Sequence, residues 1–123
     1  MKLQKLISKL EKHHKKKLDL SLGRTFNLLK KLGDPQDKLK NVITVVGTNA
    51  KASMCYSLKS ILNQGGYKTN LYTSPHLLSY TERYIFDDKE INEEDLIELL
   101  TDVEKTLGDD NATLFEILTC AFL

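Results

Sequence analysis

One segment restricts the fold of this chain more than any other. The β-branched run Val42-Ile43-Thr44-Val45-Val46 leads directly into Gly47-Thr48-Asn49-Ala50-Lys51-Ala52-Ser53. A short apolar strand that enters a small-residue turn and then a helix is the layout of a phosphate-binding loop. In such a loop backbone N–H groups face phosphate oxygens, a Lys neutralises charge, a hydroxyl reaches Mg²⁺, and the helix N-terminus favours anions. Lys51 and Ser53 supply the two side chains. Ala50 and Ala52 stand where such loops favour glycine, because the backbone there takes φ > 0 or comes close to the phosphate.

The remaining chain reads as alternating helices and strands. Leu3, Leu6, Ile7 and Leu10 follow the spacing of one helix face. A second helix starts near Ser21 or Leu22, turns Phe26, Leu28, Leu29 and Leu32 inward, and stops at Gly33-Asp34-Pro35. Val42–Val46 is apolar on both faces, as a buried parallel strand is. Met54, Leu58, Ile61 and Leu62 mark a helix ending at Gly65-Gly66, and residues 68–73 read as the next strand, giving a right-handed β-loop-α-β unit. Residues 74–90 lack helical periodicity and are expected to be a functional loop with a small hairpin around Asp87-Asp88-Lys89-Glu90. Asn92 is expected to cap a helix with Leu96, Leu99, Leu100 and Val103 on its buried face. Thr113 begins a last helix with Phe115, Ile117, Leu118, Ala121 and Phe122 as its apolar residues, and the Thr113–Glu116 spacing is that of a capping box.

Charge is uneven along the sequence. Residues 1–40 carry 12 Lys/Arg against 4 Asp/Glu, and residues 41–123 carry 6 against 13, so the two parts are +8 and −7. Such a split fits a nucleic-acid-binding arm, an acidic substrate, or two solvated faces that attract one another. The run His13-His14-Lys15-Lys16-Lys17 lacks the interleaved aromatics or arginines of a nucleic-acid surface, and no nucleic-acid partner is expected. His13 and His14 read as solvated. No apolar run reaches the roughly 18 residues of a membrane span, so a cytoplasmic address with no membrane partner is expected. Cys55 and Cys120 lie among apolar residues and are expected to be buried free thiols.

Five ordered motifs resemble the N-terminal ATP-binding part of the folylpolyglutamate synthase/dihydrofolate synthase family, within the Mur ligase superfamily. Leu18-Asp19-Leu20-Ser21-Leu22-Gly23-Arg24 is similar to its leading segment, and Leu32-Gly33-Asp34-Pro35-Gln36 to the turn before its first strand. Residues 47–53 stand against its GTNGKGS loop. Leu71-Tyr72-Thr73-Ser74-Pro75-His76-Leu77 and Tyr80-Thr81-Glu82-Arg83 resemble its substrate loop, and Thr113-Leu114-Phe115-Glu116 a later helix start. The resemblance spans about residues 18–123.

It implies the first part of a P-loop-type three-layer α/β/α parallel sheet. Residues 1–40 would be a basic helical lead-in and residues 41–123 the β-α-β unit, the substrate loop and the following helices; the later sheet strands, further Mg²⁺ ligands and the C-terminal domain would be absent. It implies an ATP-dependent ligase that joins L-glutamate to a folate or dihydropteroate carboxylate through an acyl phosphate, monomeric at full length. ATP would lie on Gly47, Thr48, Asn49, Ala50, Lys51, Ala52 and Ser53, with Mg²⁺ at Ser53 and Ser74. The folate would meet Thr73, Ser74, Pro75, His76, Glu82, Arg83 and Phe115. The chain alone is then expected to be inactive, and a degenerate, non-catalytic nucleotide-binding module is the alternative.

Overall fold

The computed structural model describes residues 2–13 and 21–123. His14, Lys15 to Lys17 and the Leu18–Leu20 start of the leading motif lie outside them. The helices are α1 (Lys2–Leu10), α2 (Gly23–Lys31), α3 (Lys51–Gln64), α4 (Glu93–Leu107) and α5 (Leu114–Phe122); the strands are β1 (Asn70–Tyr72), β2 (Tyr84–Phe86) and β3 (Lys89–Glu90). The architecture is α/β, and it divides into two compact units: residues 1–40 with 93–123, and residues 41–92.

The first unit is helical. The spacing of Leu3, Ile7 and Leu10 puts one buried stripe on α1, and α4 answers with Leu96, Leu100, Val103 and Leu107. Leu28 and Leu29 of α2 and Ile117, Leu118, Cys120 and Ala121 of α5 complete this core. Helix α2 ends where expected, in a Schellman motif: Gly33 adopts φ +88°, its N–H donates to the Lys30 carbonyl, and the Asp34 N–H donates to the Leu29 carbonyl at 2.9 Å. The charge asymmetry is resolved here by pairing. Lys9 and His13 meet Glu104 at 2.9 and 3.1 Å, Arg24 meets Glu116 at 2.8 Å, and Lys31 meets Asp110 at 2.6 Å. His13 is thus half-buried against a carboxylate and not solvated, because α4 brings Glu104 to it. Phe26 corrects a second expectation: it is 59% exposed, since only the Leu28–Leu29 edge of α2 faces the helices.

In the second unit, an antiparallel three-stranded sheet of order β1-β2-β3 carries the loop residues. The pairs are Asn70 with Phe86, Leu71 with Ile85 and Tyr72 with Tyr84, followed by Ile85 with Glu90 and Phe86 with Lys89. The β2–β3 turn is a two-residue hairpin with positive φ at both Asp87 (+46°) and Asp88 (+67°), the geometry of a type I′ turn, which Asp tolerates. Asn70 Oδ1 accepts the Asp87 N–H, and Lys59 of α3 pairs with Asp88. Tyr84 is fully buried, its ring 5.5 Å from that of Tyr72. Helix α3 lies beside β1 but has no fully buried residue; Met54 and Ile61 are exposed, and Leu58, Leu62 and Cys55 are half-buried. Both cysteines are free, and Cys120 alone is buried.

The expected parallel strand at Val42–Val46 is not formed. These residues make no ladder, and Val46 is 84% exposed. A parallel strand exists only through bonds to neighbours on its edges, and no described residue supplies one. The α/β class holds, while the sheet present is the antiparallel one built from β1 and the hairpin.

Candidate functional site

The residues expected to meet nucleotide, metal and substrate fall, except for Phe115, within the second unit. Phe115 lies on α5 in the first unit and is 56% exposed.

Residues 47–53 form a turn that ends at the start of α3. Gly47 takes φ +154° and Ala50, the residue before the helix, sits in the left-handed region at φ +61°, ψ +14°. This is the conformation for which glycine is favoured, so the sequence departure at Ala50 is a backbone cost and not a change of loop path. Three features make this helix start receptive to an anion. Ala50 offers no side-chain cap, the first turn of α3 has no acidic residue, and Lys51 is its first helical residue. A cation here opposes the positive end of the helix dipole, and the first-turn N–H groups have no intrahelical partners. Helices α4 and α5 show the usual solution, α4 opening with Glu93, Glu94 and Asp95 and α5 with a Thr113–Glu116 capping box, whereas α2, like α3, opens without a capping side chain or an acid in its first turn. Lys51 Nζ folds back to donate to the Gly47 carbonyl at 2.5 Å, which holds its charge at the mouth of the turn. Ser53 is exposed in the first turn of α3.

The second loop runs from Ser74 to Arg83. Its base is closed by the Thr73 N–H donating to the Arg83 carbonyl at 3.1 Å, and its first bond, Ser74–Pro75, is cis. The following turn is organised by Glu82, whose carboxylate accepts N–H bonds from Leu77 (2.8 Å), Leu78 (2.7 Å) and Ser79 (2.7 Å). Those three bonds, led by that from Leu77, hold the carboxyl below its ordinary value. Ser79 returns the favour as N-cap of the short 3₁₀ turn Tyr80–Arg83, and Thr81 Oγ1 donates to Glu90 of β3. With the backbone so held, Leu77 and Leu78 point outward, 91% and 94% exposed. Arg83 Nε donates to His76 Nδ1 at 2.9 Å, the His76 ring packs against Tyr80 at a 45° tilt with ring centres 4.2 Å apart, and the Arg83 guanidinium lies 5.1 Å from the Tyr80 ring centre. Burial, and then the charge of Arg83, push His76 below its ordinary value, against an opposing pull from Glu82.

Sequence reasoning missed the part of Tyr80, which supports both His76 and Arg83; only its place beside the Thr81-Glu82-Arg83 motif pointed to it. The Glu82 clamp was legible as a Ser-x-x-Glu spacing at Ser79–Glu82, the pattern already recognised at Thr113–Glu116. Glu116 itself is buried, bonded to Arg24 through both carboxylate oxygens and to the Thr113 N–H, so its role here is structural. Among the described residues no cluster of His, Cys, Asp or Glu is arranged to hold a metal ion by itself, and no helix is long and apolar enough to cross a membrane.

Fold and loops together define an α/β segment with an anion-receptive helix start and a rigid second loop on one small unit. No protein-family model matches the chain. It is 38% identical over 117 residues to the dihydrofolate synthase/folylpolyglutamate synthase of Escherichia coli, covering 95% of this chain and 28% of that one. The dihydrofolate synthetase of Saccharomyces cerevisiae is 35% identical over 84% of this chain and 24% of its own length. Among solved structures, the E. coli protein in complex with DHPP and ADP superposes with a TM-score of 0.87 over 97% of this chain and 28% of that one. The Yersinia pestis bifunctional enzyme complexed with AMPPNP and Mn also gives 0.87, at 33% identity over 97% of this chain and 29% of that one. The chain belongs to the folylpolyglutamate/dihydrofolate synthase family. It spans about a quarter of the length of the first relatives it matches.

Proposed function

We propose that this chain is the N-terminal part of a Mur-ligase-like ATP-binding domain, and that the whole enzyme, cytoplasmic and monomeric, adds L-glutamate to a folate or dihydropteroate carboxylate. ATP would phosphorylate the carboxylate, and the glutamate amine would displace phosphate from the acyl phosphate to form the amide. The observation that carries the reading is the start of α3: an uncapped helix N-terminus, free of acid, with Lys51 as its first residue. Relatives solved with ADP or with AMPPNP and Mn support a nucleotide as the ligand.

In this reading the N–H groups of residues 48–53 face the phosphates, and Lys51 leaves the Gly47 carbonyl to neutralise the β/γ charge. The chemistry is positioning and charge neutralisation of the transferring phosphoryl group. The donor set suits Mg²⁺: the hydroxyls of Ser53 and Ser74 are hard oxygen donors on exposed residues, and Mg²⁺ takes few protein ligands when phosphate oxygens and water complete its shell. Bound there, the ion would neutralise phosphate charge as a Lewis acid. Thr73, Ser74, Pro75, His76, Glu82 and Arg83 would form the folate loop, with the Arg83 fork meeting an anionic group. A chain supplying about a quarter of the enzyme would not complete the reaction alone.

Ala50 and Ala52 favour a second reading, a nucleotide-binding module without catalysis. Calorimetric titration with Mg²⁺-ATP, with Lys51→Ala as control, tests the nucleotide site common to both. Binding that weakens about tenfold or more in the variant is expected, since a charge-assisted phosphate bond is lost. A folded chain that binds no nucleotide, or binds it equally without Lys51, refutes the site.

A further inference from the structure

The Arg83 side chain would need a defined direction to recognise an anion, and the backbone alone does not give it one. A guanidinium on a flexible stem loses rotamer freedom on binding unless it is already held. Here the side chain is held by one hydrogen bond, Nε–H donating to His76 Nδ1 at 2.9 Å, with the guanidinium over the face of Tyr80. Arg83 is always a donor, so His76 Nδ1 must be the bare acceptor and its N–H must be on Nε2. The bond uses Nε and leaves the four N–H groups of the terminal nitrogens, the edge that matches a carboxylate or phosphate in a two-pronged pair. Tyr80 fixes the other member of the pair, its ring 4.2 Å from that of His76.

We propose that His76 is a positioning residue, whose Nδ1 fixes the Arg83 guanidinium over Tyr80 with its terminal N–H edge presented to an anionic group of the substrate. This rests on the folate-loop reading above for the identity of the ligand, but not for the Arg83–His76 bond. His76 does not touch the ligand; it lowers the ordering cost of the residue that does. The requirement is for an acceptor at the Nδ1 position. Asparagine places its Oδ1 there, whereas glutamine reaches the Nε2 position and phenylalanine keeps the ring without an acceptor.

The test is a series of His76→Asn, His76→Gln and His76→Phe in the intact chain, with two readouts. In ¹⁵N-arginine NMR spectra the Arg83 Nε–H should exchange slowly in the wild type and in His76→Asn and quickly in the other two; coupling across the bond to Nδ1 should appear in the wild type. Calorimetry with dihydropteroate and Mg²⁺-ATP should show binding about tenfold weaker in His76→Gln and His76→Phe and restored in His76→Asn, as for one lost hydrogen bond to a charged group. A rapidly exchanging Nε–H in the folded wild type, or no rescue by asparagine in either readout, overturns the proposal. Slow exchange rescued by asparagine, in a chain that binds no dihydropteroate, upholds the positioning of Arg83 and refutes the ligand reading instead.

Discussion

Ala50→Gly should stabilise this chain, and the neighbouring Ala52→Gly should do the reverse. Ala50 lies at φ +61°, ψ +14°, where an L-residue with a Cβ carries about 1–2 kcal/mol of strain. Glycine removes that strain but gives the unfolded chain more freedom, which costs about 0.4–1 kcal/mol. The net gain is about 0.5–1 kcal/mol, or roughly 2–5 °C in Tm for a chain of this size. Ala52 is the second residue of α3, in ordinary helical conformation; glycine there only loses helix propensity, about 0.5–1 kcal/mol. Melting followed by far-ultraviolet circular dichroism on the two single variants and the double variant decides the matter, with the double variant near the wild type. Equal losses in both single variants would show that Ala50 is not left-handed in solution, and the strain account of the loop would fall. Nucleotide affinity is a separate readout. A gain confined to Ala52→Gly would mean that its methyl group, and not strain at Ala50, obstructs the phosphate.

The buried pair Arg24–Glu116 should be costly to break: Glu116→Ala also removes the acceptor for the Thr113 N–H, and a loss of about 3 kcal/mol in urea unfolding is expected. Glu116→Gln, which can still cap the helix, should lose less, and a loss below about 0.5 kcal/mol for alanine would refute the structural assignment. Acid should loosen the first unit at Glu104. Burial would raise this carboxyl, but the hydrogen bonds and charges of Lys9 and His13 outweigh burial and hold it below the ordinary value of 4.5. Its folded value is depressed, so the stabilisation is complete above 4.5 and is lost as pH falls through the folded value. Melts taken from pH 6 downward should show a steeper decline in the wild type than in Glu104→Gln, and parallel curves would contradict the pairing.

Where the local sequence contains all the partners an element needs, its structure could be read directly. The Gly33 stop, the Asp87-Asp88 hairpin and the Thr113–Glu116 capping box each close their hydrogen bonds within a few residues. The stripes of α1 and α4 are nearly as legible, because a 3.6-residue period tells which face is buried without naming its partner. Val42–Val46 shows the limit of that reasoning. Its composition reports an environment of apolar neighbours on both faces, but a strand takes form only on a partner, and the described residues contain none. Phe26 failed for a related reason, since periodicity does not separate a core aromatic from one that faces outward.

The two loops of the second unit differ in what holds them, and that difference bears on how each could work. The loop from Ser74 to Arg83 is closed by its own residues: Glu82 grips the backbone of Leu77 to Ser79, Arg83 grips His76, and Thr73 closes the base. It is therefore pre-ordered, and a ligand would bind it at little cost in loop entropy. The loop at Gly47–Ser53 has the opposite character. Its helix start lacks a cap, its Ala50 is strained, and its Lys51 satisfies itself on the Gly47 carbonyl. The first-turn N–H groups and Lys51 would gain the same charged partner from an anion at the start of α3, while the strain at Ala50 would remain. A chain can keep such a helix start against the ordinary preference for caps and acids because the stability forgone there is recovered when the anion binds.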